Sequence, residues 1–447
     1  MKALSYLSRY GLPCLLALLG FAPWHQATAQ TWVDPGMTNL PWQAVAASAD
    51  GKILAAAYSR TSTYSTNGGI FYKDNGGIWV STNSGASWTQ TSAPNEGWSA
   101  IAASADGHQL IAGTGTVIAG SNTRLYISRD SGQTWNTNLV GGGPFNSIAS
   151  SADGTVLAVA GSGLHGGTYI STNGGDAWTL YGTNFPLNTA YAVAMSADGT
   201  TIMSMRFVDV MVSTNSGTTW VTTTNTLRSA SSLAGSADGT KWFVLNHTTI
   251  LTSTNLGVTW KPLGSQPTNC NCIAVSADGT KLVAAAGPAT KVYYPDPGLS
   301  IGNYPLYTST DSGATWTSNN VPMQHWSAMT CSADGSRLIA AGDFAVGTNR
   351  PLTGAKLWVG EASPQPALNL TQTDNQVQLS WTIPTADLGV QESSDLISWT
   401  DVSNPPVLNL PRLQQQVQLP VGPGTRFYRL KTASPPAYFG GRSAATP

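Results

Sequence analysis

Two short phrases alternate along the chain. Ser-Ala-Asp-Gly begins at Ser48, Ser104, Ser151, Ser196, Ser236, Ser276 and Ser332. Ser-x-Asn/Asp-x-Gly-x-x-Trp ends at Trp88, Trp135, Trp178, Trp220, Trp260 and Trp316. Both phrases recur every 40 to 56 residues, seven times for the first and six for the second. A period of this length marks an array in which each repeat is one supersecondary unit. The repeat therefore fixes the architecture before any chemistry is considered. It also implies that function lies in the residues that do not repeat.

One repeat reads as four short strands. Trp98-Ser-Ala-Ile-Ala-Ala is a first strand, and Ser104 to Gly107 is a turn. In such a turn Asp supplies a side-chain bond and Gly the left-handed backbone. Leu110 to Ala112 is a second strand, and a variable stretch runs on to Arg124. Leu125-Tyr-Ile-Ser is the third, Ser131-Gly132 turns the chain, and Thr134-Trp135-Asn-Thr is the fourth. Four antiparallel strands per unit make the blade of a β-propeller. The fold class expected is all-β: a seven-bladed propeller with a small C-terminal β-sandwich.

The second phrase resembles the Asp-box, or BNR repeat, of the sialidase and sortilin-like propellers. The resemblance covers about residues 31 to 361. Four of the six copies carry Asn where that family usually has Asp. Asn makes the same turn bond, so the fold expectation stands. Within each copy the Asn/Asp caps its own turn, Gly takes the unusual φ, and Trp packs on the sheet. These residues recur in every unit and read as framework rather than as a site.

The seventh copy of the second phrase is missing. After Ser332-Ala-Asp-Gly335 come Leu338-Ile-Ala-Ala and Lys356-Leu-Trp-Val-Gly, and no Trp-bearing fourth strand follows. Thr31-Trp32-Val33 precedes the first unit and is predicted to supply that strand. Both ends of the array would then close the ring and remove exposed sheet edges.

Antiparallel strands place the two repeated turns on one face and the variable loops on the other. The long loops are Tyr58–Gly77, Gly287–Pro305 and Gly342–Ala355, in units one, six and seven. They carry Tyr72, Tyr294 and Asp343 among their aromatic and acidic residues. Six residues before each Ser-Ala-Asp-Gly serine stand Trp42, Trp98, Phe145, Ala190, Ala230, Cys270 and Trp326. The aromatics fall on contiguous units. They suit either a platform for sugar rings at the channel mouth or packing between blades. The candidate ligand-binding set is Trp42, Trp98, Phe145, Trp326, Tyr72 and Tyr294.

Catalytic patterns are sparse. A sialidase implies three arginines around a carboxylate, a Tyr–Glu nucleophile pair and a Phe/Tyr-Arg-Ile-Pro motif, and that motif does not occur here. Arg60, Arg124, Arg206, Arg228 and Arg350 are the propeller arginines outside the repeated turns. A general glycosidase needs two carboxylates across the scissile bond. Glu96 and Asp343 are the weak catalytic candidates, beside Asp74, Asp209 and Asp296. His165, His247 and His325 match no compact metal motif, so no metal and no cofactor are expected. The larger Asp-box xyloglucanases use two propellers, whereas this chain has repeats for one.

Composition bounds the partners. Charged residues make up 10% and the formal net charge is −1. That excludes a nucleic-acid footprint or a polybasic membrane surface. Lys2 and Arg9, the apolar run from Leu12 to Phe21 and Ala27-Thr28-Ala29 form an export-signal pattern over residues 1–29. Cys14 follows Gly11-Leu12-Pro13, a poor lipoprotein box, so a free secreted protein is expected. No later segment has membrane-spanning length. Cys270, Cys272 and Cys331 remain after processing, too few and odd in number for a full disulfide framework.

The propeller is predicted over 30–361, a linker over 362–367, a small sandwich over 368–432 and a tail over 433–447. The sandwich rests on period-two segments such as Gln376–Trp381 and Gln416–Leu419, and is similar to fibronectin-type modules. The expectation is a secreted monomer that binds a glycan or an extracellular protein. A glycoside hydrolase and a structural surface protein are the alternatives.

Overall fold

The computed structural model describes residues 16–18 and 31–432. Within that span 38, 67–68, 116–122, 139–143, 163–165, 182–188, 207–208, 224–226, 228–229, 247–248, 287–303, 320, 322–324, 344–355, 362–367, 374–375, 383–387, 396, 410–412 and 422–425 lie outside the description. Among the described residues there is no helix, and the strands form nine four-stranded sheets.

Seven of the sheets follow the repeat. The second, for example, runs Trp98–Ala103, Leu110–Thr114, Leu125–Ser128 and Asn136–Asn138, each strand antiparallel to the next. The innermost strands of the others begin at Trp42, Phe145, Ala190, Ala230, Cys270 and His325. In the seventh sheet, Thr31–Val33 pairs with Leu357–Glu361 beside Arg337–Asp343 and His325–Cys331. The N-terminal strand thus occupies the place of the missing fourth strand. Trp32 packs with Trp326, Leu306 and Cys272, where the other units use their box tryptophan.

Apolar side chains are sandwiched between successive sheets. Trp98, Leu110 and Tyr126 of the second sheet pack on Ala44, Ala57 and Ile78 of the first. Equivalent clusters follow between each later pair, and Trp42 and Leu54 of the first sheet meet Ile339, Leu357 and Val359 of the seventh. Burial of both faces explains why the second and third strands read as continuous apolar runs rather than alternating ones.

The two repeated turns are built as their residues dictate. Ser48 Oγ donates to Asp50 Oδ1 at 2.6 Å, and that oxygen also accepts Lys52 N at 3.0 Å. In the second phrase Ser81 Oγ accepts Gly85 N at 2.8 Å, and Asn83 Oδ1 accepts Ser87 N at 2.9 Å. Gly85 has φ 87° and a Cβ there would lie 2.8 Å from Val359 of the seventh sheet. Glycine thus serves both the turn and the approach of the neighbouring sheet.

The alanines of Ser-Ala-Asp-Gly are linked by backbone hydrogen bonds. Ala49 N donates to Ala105 O, Ala105 to Ala152, Ala152 to Ala197, Ala197 to Ala237, Ala237 to Ala277, Ala277 to Ala333, and Ala333 back to Ala49, all at 2.7–2.9 Å. The seven bonds form a cycle around the inner ends of the sheets.

Two further sheets share one core of Val377, Leu379, Trp381, Val390, Val417, Leu419 and Tyr428. Their orders are Asn369–Gln372, Gln376–Thr382, Gln414–Pro420, Val407–Asn409, and Leu16–Leu18, Arg426–Thr432, Leu388–Ser393, Thr400–Asp401. The segment Leu16–Leu18 lies in the run read as an export signal and pairs in parallel with Arg426–Tyr428. A Ser-x-Asp turn also occurs in this module. Asp395 Oδ1 accepts Ser393 Oγ, Ile397 N and Ser398 N, and Trp399 follows.

Candidate functional site

The first position of each innermost strand is a packing position. Trp42, Phe145 and Trp326 are 0% exposed and Trp98 is 1% exposed. Each ring lies in the cluster between its own sheet and the preceding one. The expected sugar platform is therefore corrected: these four faces are covered by protein. The physical cause is a β-bulge. Every innermost strand shifts register after this position, between Trp42 and Ala44, Trp98 and Ala100, Phe145 and Ser147, and so through Trp326 and Ala328. A bulge places two residues opposite one and re-aims the side chains around it.

The extra residues of the seven bulges are Gln43, Ser99, Asn146, Tyr191, Ser231, Asn271 and Ser327. They stand at the loop-side ends of the innermost strands, away from the alanine cycle. Four reach the neighbouring sheet. Ser99 Oγ donates to Phe145 O at 2.6 Å, Asn146 Nδ2 to Ala190 O at 2.9 Å, Asn271 Nδ2 to Trp326 O at 2.6 Å, and Ser327 Oγ to Trp42 O at 2.6 Å. These bonds tie the rim together and hold amides and hydroxyls at fixed positions. Tyr191 differs in kind: it is 40% exposed, the one aromatic in the set. The sequence carried the signal, because the column beside the aromatic one is polar in every other copy.

A charged cluster lies nearby between the first and second sheets. Glu96 Oε1 accepts Arg124 Nη1 and Tyr126 Oη, both at 3.1 Å. Tyr126 is 2% exposed, and burial is the main cause that raises its hydroxyl above the ordinary value of 10.0. A buried phenol with a raised pKa is a poor nucleophile. The preceding Asn95 receives Gly76 N at 2.8 Å, and a Cβ on Gly76 would lie 2.2 Å from Tyr58 O and 2.3 Å from Glu96 O. The chain is thus locked around Glu96, and the carboxylate braces the two sheets.

The remaining sequence candidates fall as follows. Asp343 ends its strand opposite His325. Tyr72 pairs with Thr63 in a hairpin, and Tyr294 lies outside the described residues. The hairpin corrects the first long loop: Leu54–Thr66 and Gly69–Ser81 are 13-residue strands in continuous register. Arg206 makes a bidentate pair with Asp209 at 2.8 and 2.7 Å, and Arg60 is exposed. Arg228, Arg350, Asp296, His165 and His247 lie outside the described residues. Among the described residues no three His, Cys, Asp or Glu side chains gather as a metal site. Among the described residues no helix is long and apolar enough to cross a membrane.

No known protein family matches the chain, and no curated protein matches it in sequence. Solved structures match it in fold. A GH74 xyloglucanase from Xanthomonas campestris is 15% identical with a TM-score of 0.50; the match covers 79% of this chain and 59% of that one. A chain of a mitotic checkpoint complex is 15% identical over 78% of this chain and 97% of that one, with a TM-score of 0.49. The architecture is a β-propeller.

Proposed function

We propose that the seven sheets are the Asp-box blades of one closed propeller and that its loop-side channel mouth binds a glycan. The exposed Tyr191, set among the amides and hydroxyls of the bulge ring, is the observation that carries this reading. An aromatic face flanked by neutral hydrogen-bonding groups suits a sugar ring, which offers C–H groups on its faces and hydroxyls at its edge. The low charge of the chain agrees with a neutral ligand. The likeness to a xyloglucanase propeller is compatible with a carbohydrate-related role. The export-signal pattern over 1–29 would place the protein where extracellular polysaccharides are met. Glu96 is engaged by Arg124 and Tyr126, so the reading is binding rather than cleavage.

The test is a glycan array with wild type and Tyr191→Ala, followed by product analysis on each hit. Binding that Tyr191→Ala abolishes, with the glycan left intact, is expected. Binding unchanged by Tyr191→Ala would move the site elsewhere, and released product would return the hydrolase reading.

A further inference from the structure

The opposite end of the channel carries a partly open pocket of about 190 Å³. Its wall is the alanine cycle together with the last residues of the innermost strands, including Ala47, Ala103, Ser150, Met195, Val275 and Cys331. Backbone N–H and C=O groups of the cycle bond one another, so the rim presents alanine methyl groups beside serines such as Ser48, Ser104 and Ser332. One lining residue comes from outside the seven sheets: Leu413, just before the strand Gln414–Pro420 of the C-terminal module.

Leu413 also has φ 50°, a left-handed conformation that a leucine rarely takes. Most other non-glycine residues with positive φ stand at one position of the repeated Ser-x-Asn/Asp turn, such as Ser84 and Ser131. Leu413 has no such motif to explain it. Its disfavoured backbone coincides with an apolar side chain that lines the pocket bounded by the alanine cycle. We infer that Leu413 is a stopper, by which the C-terminal module closes the repeat-face end of the channel and leaves the loop-side mouth as its one entrance.

This assigns the module a role within the same chain. The ring of small alanines and serines, repeated in every unit, would otherwise leave an open hole. A propeller closed at one end holds a ligand against a floor instead of passing it through. The inference concerns the channel floor and does not depend on what binds above it.

Cys331 reports on the stopper because it lines the pocket, whereas Cys270 and Cys272 are buried between the sheets. The experiment uses the full chain and a small neutral maleimide, with the modified cysteine identified by peptide mass spectrometry. Leu413→Gly removes the side chain at a φ that glycine accepts without strain. Labelling of Cys331 is expected to rise at least about fivefold, since thiol reactivity follows access. Leu413→Met, which refills the space, should restore the wild-type rate. An unchanged Cys331 rate in Leu413→Gly would overturn the stopper. So would a parallel rise at all three cysteines, which would mean general loosening. Because no glycan enters the assay, its failure leaves the loop-face reading intact, and the array can fail with the stopper intact.

Discussion

Trp98→Ala separates a packing residue from a binding platform. The side chain is 1% exposed and meets Tyr126 edge-on with ring centroids 5.2 Å apart. A buried aromatic removes about 150–250 Å² from water, worth about 4–6 kcal/mol at about 25 cal/mol per Å² as an upper bound. Alanine keeps a small part of that, and large-to-small changes of this kind cost about 3–5 kcal/mol. The indole N–H has no hydrogen-bond partner among the described residues, so the loss is one of packing. At about 2 °C per kcal/mol for a large domain, Tm should fall by about 6–10 °C. Calorimetry with a urea titration measures both quantities. A shift below about 2 °C, accompanied by loss of ligand binding, would refute the reasoning and restore the platform.

Three other outcomes follow from particular contacts. Gly76→Ala places a methyl within 2.2 Å of Tyr58 O and should destabilise the fold by about 3 kcal/mol or more, visible as a lower urea midpoint. Hydrogen bonds from Thr315 Oγ1, Thr315 N and Ser309 Oγ push Asp311 from 3.8 down to about 2. A depressed carboxylate stabilises above its unfolded pKa and loses that contribution as pH falls through the folded value, so Tm should drop between about pH 4 and pH 2. Asp311→Asn, which copies the natural Asn of four other boxes, should make that acid slope shallower. Trp32→Ala should lower Tm through the seventh sheet while leaving the other six turns intact, as residue-resolved hydrogen exchange would show.

The repeat made the propeller readable because each turn needs a particular residue for a local reason. Asp50 must accept Lys52 N, and Gly85 must turn where Val359 allows no Cβ. Thr31-Trp32-Val33 was readable as the fourth strand of the seventh sheet because one tryptophan was missing from the count. The site was less legible. Whether Trp98 or Ser99 takes the buried position between the sheets depends on a bulge, and no residue type announces a bulge in a strand of small side chains. The stretch Tyr58–Gly77 reads as a loop because its Ser, Thr and Gly content hides a paired hairpin. Leu413 carries no pattern at all. Its setting arises from the meeting of two modules, which periodicity within either one does not encode.

The most direct test of the central claim is glycan binding by Tyr191→Ala measured beside its Tm. Tyr191 is 40% exposed, so the variant should stay folded, with a Tm loss well below the about 6–10 °C expected for Trp98→Ala. Loss of glycan binding by that folded variant is the expected result. Full binding by a folded Tyr191→Ala protein would contradict it.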